Sequence, residues 1–316
     1  MLKIALTGAS GFVGSRVLER LSGFDTRIIG RTNAGQVPEG KFFVANIGPA
    51  TDYAGFFEGV DVVIHCAARA HIMDDHTEAP LLAYRKVNTD GTMNLALQAA
   101  KAGVRRFIFI SSVKVNGEVT EHGIPFGPKV TKPPEDSYGL SKYEAEKGLQ
   151  ELVKATEMDV VIIRPPLVYG PGVQANFLSL LKLAAKGIPL PLGSVIKNRR
   201  SLVYVDNLAD LVVTCINHPN AANHVFLVSD GEDLSTADML SRLAVAFGKS
   251  GTLLPFPESL IHVACQLLGK SAVYRRLCLS LQLDISETQQ KLGWHPPYTV
   301  DEGFAKTAKS YLNAKV

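Results

Sequence analysis

Long runs of any one kind are missing from this 316-residue chain. No stretch carries about five like charges in a row, so the formal net charge of +3 builds neither a nucleic-acid stripe nor a polybasic membrane patch. No apolar segment reaches the roughly eighteen residues of a membrane span, and the few residues before the first glycines are too short for a signal peptide. Cysteine is scarce: Cys66, Cys215, Cys265 and Cys278 stand far apart with no C-x-x-C spacing, which excludes a zinc knuckle and a disulfide framework and predicts free thiols in a reducing, cytoplasmic compartment. The single tryptophan, Trp294, reads as core packing. There is no internal repeat and no low-complexity segment. What remains is a globular chain, 46% hydrophobic, long enough for one large or two modest domains.

Short β-rich runs alternate with helical patterns. Strands are expected at Lys3–Leu6, Thr26–Gly30, Lys41–Val44, Val60–His65, Arg106–Ser111 and Val160–Arg164, and helices near Phe12–Leu21, Tyr53–Phe57, Leu82–Ala102 and Tyr138–Thr156. The strands are almost continuously apolar, as they must be when helices cover both faces, so the expected fold is α/β, a doubly wound parallel sheet of Rossmann type. After Arg164 prolines and glycines interrupt regular structure and the texture becomes mostly helical, with turns at Pro255-Phe256-Pro257 and Pro296-Pro297. The division expected is a dinucleotide-binding domain over 1–166, to which 203–230 returns in one reading, and a smaller substrate domain over 167–202 and 231–316.

Gly8, Gly11 and Gly14 fall between the first strand and the first helix, in Thr-Gly-Ala-Ser-Gly-Phe-Val-Gly. Glycine alone tolerates the tight turn, the approach of backbone to a pyrophosphate and the close packing of helix on strand, while the helix N-terminus offers N–H groups to the phosphates. A second constellation is Ser112 at the end of the fifth strand with Tyr138 and Lys142, four residues apart on one helix face. A phenol ordinarily ionises near pH 10, and moving that towards neutrality takes about 4 kcal/mol, which an ammonium in a dry cleft can supply. Lys142 is placed to tune Tyr138, and Ser112 to hold the same substrate oxygen.

These residues, with Cys66-Ala67-Ala68, Asn88-Thr89-Asp90-Gly91-Thr92, Ser111-Ser112 and Arg164-Pro165 before Val168-Tyr169-Gly170-Pro171-Gly172, resemble the extended short-chain dehydrogenase/reductases, the NAD-dependent epimerase/dehydratase group acting on nucleotide sugars. The resemblance spans nearly the whole chain. It implies Ser112, Tyr138 and Lys142 as the catalytic set. It also implies a dinucleotide held by Gly8, Gly11, Phe12, Val13, Gly14, Arg31, Asn46, Ile47, Ala67, Ala68, Asn88, Tyr138, Lys142 and Pro165. For a UDP-sugar it implies Lys114, Asn176, Phe177, Arg200 and Arg276, with Arg275 as an alternative to Arg276. A homodimer is compatible with such a chain; a nucleic-acid or membrane partner is not expected.

Departures from the pattern shape the expected reaction. No acid lies between Thr26 and Pro38 to accept from a ribose 2′-hydroxyl, whereas Arg31, with Thr32 and Asn33, suits a 2′-phosphate, which favours NADP (NADPH) over NAD. Val113 replaces the acid a dehydratase needs beside its serine. Ser-Ser-Val-Lys-Val-Asn-Gly-Glu, Pro165-Pro166-Leu167 and Asn198-Arg199-Arg200-Ser201-Leu202 resemble reductases of bacterial surface-polysaccharide (O-antigen, lipopolysaccharide) sugar biosynthesis. The expectation is therefore NADPH-dependent reduction of the C4 ketone of a UDP-4-keto-6-deoxy-N-acetylhexosamine. The alternatives are a UDP-sugar 4-epimerase with bound NAD and a non-catalytic NADP-binding sensor. Gly248-Lys249-Ser250 lacks the glycine of a P-loop, Leu243 standing in its place, and His71, Asp74, Asp75 and His76 read as a polar loop, so no metal is expected.

Overall fold

The computed structural model describes residues 1–32, 40–70, 79–121 and 123–314. Its ten strands are β1 (Lys3–Thr7), β2 (Asp25–Gly30), β3 (Phe42–Val44), β4 (Val62–His65), β5 (Arg106–Ile110), β6 (Asp159–Arg164), β7 (Leu167–Tyr169), β8 (Arg200–Tyr204), β9 (Val225–Leu227) and β10 (Asp233–Leu234). Seven of them form one sheet in the order β3-β2-β1-β4-β5-β6-β9, parallel throughout. The order reverses between β1 and β4, and that switch point opens a crevice at the carboxyl ends of the strands. β9 reaches this sheet through its pairing with β6.

The helices are α1 (Phe12–Arg20), α2 (Pro80–Tyr84), α3 (Asp90–Lys101), α4 (Ser137–Ala155), α5 (Ala175–Lys186), α6 (Val205–Asn217), α7 (Thr236–Ala246), α8 (Glu258–Leu267), α9 (Ser271–Cys278), α10 (Ser286–Leu292) and α11 (Val300–Asn313). Alternate side chains of the sheet feed two cores. Ile4, Leu6, Ile64 and Ile108 meet α1 and α6, while Ala5, Val63, Phe107 and Phe109 meet α3 and α4. This covering of both faces is why the strands show no polar alternation. β10, β8 and β7 make a separate small sheet around a third core, in which Tyr169 stacks on Phe177 and meets Phe304 edge to face.

Two expected helices are changed. Tyr53–Phe57 is a series of turns, because Gly55 and Gly59 both take positive φ, +73° and +66°, and the aromatic periodicity there is that of a cluster with Phe43. The stretch Leu82–Ala102 is α2, a wide π turn over Arg85–Thr89, and α3. The cysteines are free, Cys215 and Cys278 buried and Cys66 and Cys265 half-buried. Among the described residues no helix is long and apolar enough to cross a membrane, and no cluster of metal-ligating side chains occurs. His71, Asp74, Asp75 and His76 lie outside the described residues.

Candidate active site

The glycine turn sits at the switch point. Gly8 has φ +74°, and a Cβ there would come within 2.6 Å of the Ala67 backbone nitrogen; one on Gly14 would run into the Gly8 carbonyl oxygen. The Gly11 N–H donates to that oxygen at 2.9 Å, and Gly11 caps α1 without any side-chain acceptor. The first-turn N–H groups of Phe12, Val13 and Gly14 therefore point at the crevice with no side chain to satisfy them, and these residues fit the phosphates of a dinucleotide.

The neighbouring strand end is fixed from below. Thr7 Oγ1 accepts from the Ala67 N–H at 3.1 Å and bonds His65 Nδ1 at 2.7 Å, while His65 Nε2 meets Thr92 Oγ1 of α3 at 3.0 Å. Burial holds the His65 imidazole at about 3, so it is neutral. Ala68 is exposed beyond this anchor. Asn88, buried in the π turn, accepts from the Arg69 N–H and donates to the Arg69 carbonyl and to Ser141 Oγ, tying the same loop to α4. Asn46 is exposed and Ile47 half-buried at the end of β3, close against Gly91. Arg31 is exposed just past β2, and Asn33 lies outside the described residues.

Asp136 starts α4 by accepting from the Gly139 N–H at 3.0 Å. One turn apart on that helix, Tyr138 and Lys142 face the crevice. Ser112, two residues past the end of β5, hydrogen-bonds the Tyr138 hydroxyl and also accepts from the Lys114 N–H at 3.2 Å. Buried Pro165 holds this segment by accepting from the Val113 N–H at 2.9 Å. Lys142 is fully buried; its ammonium donates to the Ile110 carbonyl at 2.9 Å and lies 4.4 Å from the Phe109 ring centre. An ammonium carries three donors and the Ile110 carbonyl takes one, which suits the hydroxyls of a nicotinamide ribose. Burial brings Lys142 down to about 8.

The expected tuning of Tyr138 is not what the chain alone does. Its phenol is pushed up to about 12 by burial, then by the Asp136 carboxylate and Tyr84, against the lowering hydrogen bond from Ser112. The Tyr84 ring meets it edge to face at 5.9 Å. Lys142 is turned towards Ile110 and Phe109 instead.

The residues expected at the sugar nucleotide divide. Arg200, half-buried, donates to the Leu279 carbonyl at 2.8 Å and is brought near Arg276 of α9; burial first and that like charge second lower it to about 10. Such a pair suits a diphosphate. Arg275 is exposed. Lys114 is held by Glu118 at 2.7 Å and Asp136 at 3.5 Å rather than left to solvent. The Phe177 side chain is buried in the third core against Tyr169, so only its backbone is left to face a ligand. The side chain of Asn176 lies outside the described residues.

A layer that sequence reasoning passed over supports the set. Glu146, one turn past Lys142, forms a fully buried pair with Arg164 and accepts from Ser111 Oγ at 2.5 Å. Arg164 also reaches Asn116 Oδ1 at 3.0 Å and the Pro128 carbonyl at 2.8 Å, gathering the loop after β5. The signal was an acid on the buried face of α4, at the spacing i+4 from Lys142.

Residues 4–229 match the NAD dependent epimerase/dehydratase family. The chain belongs to that family. It is 52% identical over 314 residues to a UDP-glucose 4-epimerase of Vibrio cholerae, covering 98% of this chain and 96% of the other. It is 29% identical over 333 residues to an N-acetyl-alpha-D-glucosaminyl-diphospho-ditrans,octacis-undecaprenol 4-epimerase of Escherichia coli O157:H7, covering 99% and 96%. Its fold matches that of a UDP-glucuronic acid 4-epimerase from Bacillus cereus in complex with NAD, with a TM-score of 0.76 and 23% identity over the whole of both chains. The 52% identity to a UDP-glucose 4-epimerase overturns the expected C4 reductase. What stands is an enzyme of the extended short-chain dehydrogenase/reductase type.

Proposed function

We infer that this enzyme interconverts the C4 epimers of a UDP-hexose, UDP-glucose and UDP-galactose, with NAD retained and recycled. The observation that carries the reading is the 52% identity to a UDP-glucose 4-epimerase over almost the full length of both chains. When bound, NAD supplies a hydride acceptor that returns the hydride to the other face of the same carbon.

The chain's own residues do the rest. The Ser112 hydroxyl holds the C4 oxygen beside Tyr138, which as the phenolate takes the C4 hydroxyl proton and, as the phenol so formed, later gives it back. Since burial alone keeps this phenol protonated, the work of lowering it falls to positive charge brought beside it. Lys142 holds the nicotinamide ribose, and Arg200 with Arg276 takes the diphosphate. The exposed Arg31 would stack on the adenine, a contact that serves NAD as well as NADP.

The test is to incubate the purified enzyme with UDP-glucose and follow UDP-galactose by chromatography and nicotinamide absorbance. UDP-galactose should form with no net change in reduced cofactor, and Tyr138→Phe should lower kcat about 10²–10⁴-fold with bound NAD retained. A wild type that loads NAD but leaves both UDP-hexoses and their N-acetyl counterparts unchanged overturns the reading.

A further inference from the structure

None of the residues of α8 is buried. Its inner side rests on a small core, to which Ile261, Tyr274 and Leu277 contribute beside Leu192 and Val195. The other side presents Leu260, Val263 and Leu267 at the spacing i, i+3, i+7, one stripe along a helix, continued by Leu268. Leu267 is 83% exposed and Leu268 69%. α9 folds back against this helix: the His262 and Tyr274 rings stack at 4.4 Å, and the Tyr274 hydroxyl donates to Glu258 at 3.2 Å. The stripe is thus carried by a braced hairpin.

The hairpin itself is basic. Within the hairpin, Glu258 to Cys278, three basic residues stand against one acid, Glu258, which accepts from Tyr274. Lys270 follows the stripe directly, and Arg275 is exposed on α9 two residues beyond the exposed Val273.

We propose that the α8–α9 hairpin is a docking surface for an anionic lipid bilayer, with its leucine stripe in the headgroup boundary and Lys270 and Arg275 against the acidic headgroups. A ten-residue helix is about 15 Å long, half of what a membrane span needs, so it lies on the bilayer rather than through it. The charge decides between a bilayer and a second copy of this chain. Two copies joined through the stripe would bring the same cations together, whereas acidic headgroups complement them. Arg276 stands on the same α9, so docking would hold the arginine pair beside the lipid surface.

The test is flotation of the full-length protein with vesicles of phosphatidylcholine alone or mixed with phosphatidylglycerol. The protein should rise with the mixed vesicles. At low salt its bound-to-free ratio should exceed that on the neutral ones about thirty-fold, as two cations at about 1 kcal/mol each give, and the excess should vanish at high salt. Leu267→Glu with Leu268→Glu should abolish flotation while leaving the thermal melt and the turnover of UDP-glucose in solution unchanged. Absence from both vesicle fractions overturns the proposal, as does equal flotation of the variant. So does a dimer that the variant splits, read by light scattering, with no lipid binding.

Discussion

Arg200 of β8 and Arg276 of α9 come close enough that the charge of the second adds to burial in lowering the first, to about 10. Two like charges held together in a half-buried place raise the free energy of the folded chain unless an anion joins them. Glu118 opposes the effect but ranks behind Arg276.

If that anion is the diphosphate of the substrate, Arg200→Gln and Arg276→Gln should each raise KM for UDP-glucose about 10–100-fold, the about 1.5–3 kcal/mol of a hydrogen bond to a charged group, with kcat changed far less. Steady-state kinetics at two salt concentrations reads this directly. An unchanged KM in both variants would remove the pair from the substrate site.

Lys142→Met is expected to stabilise the protein and inactivate it. Burial lowers the ammonium from 10.5 to about 8, so below pH 8 it is charged in both folded and unfolded states and the folded state bears the whole cost, about 3 kcal/mol. That cost shrinks as pH rises from 8 to 10.5. Removing the donor to the Ile110 carbonyl returns about 1 kcal/mol of it. The variant should therefore melt higher than wild type at pH 7 and lose the advantage near pH 10.5, as calorimetry across that range would show.

The framework was legible because the physics that sets it is local. Apolar strands covered on both faces, a glycine turn between strand and helix, and Tyr138 and Lys142 one helical turn apart can each be read from about ten residues. What escaped depends on contacts distant in sequence. The short strands β7, β8 and β10 carry too little pattern of their own and exist through pairing with one another. Phe177 stands at a family position for a nucleotide, yet its ring is committed to Tyr169 and Phe304. Lys142 is expected to act on Tyr138 by proximity along the helix, but the Ile110 carbonyl of β5 takes its ammonium. Arg31 and the short string Ser-Ser-Val-Lys-Val-Asn-Gly-Glu point towards a reductase, but so few residues carry less than the 52% identity of the whole chain to a UDP-glucose 4-epimerase.

The buried pair of Glu146 and Arg164 should cost far more to break than to replace. Both side chains are under 4% exposed. Glu146→Gln leaves a guanidinium buried without its counter-charge and should destabilise by about 3–5 kcal/mol. Adding Arg164→Met to it should recover a good part of that loss, since no stranded ion remains. Urea unfolding of the two variants decides the matter; a double variant no more stable than the single would show that Arg164 acts chiefly through Asn116 and Pro128.

The stability of the fold at mildly acid pH should rest on His65. Its imidazole is buried between Thr7 and Thr92, stacked on Phe109 at 5.8 Å, and burial depresses it from 6.5 to about 3. The unfolded chain takes up a proton near pH 6.5 while the folded one does not, so the contribution of this group is fully present above 6.5 and is lost as pH falls towards 3. His65→Gln keeps a polar side chain between the two threonines and cannot titrate. The difference in unfolding free energy between wild type and this variant should be flat above pH 7, then shift against the wild type by about 1.4 kcal/mol for each pH unit below 6. The Thr7 hydroxyl that His65 holds also accepts from the Ala67 N–H beside the glycine turn, so dinucleotide affinity of the variant should fall even at pH 8, where its stability difference is constant. A difference that stays flat down to pH 4 would mean that His65 is charged in the fold and that Thr7 and Thr92 both accept from it.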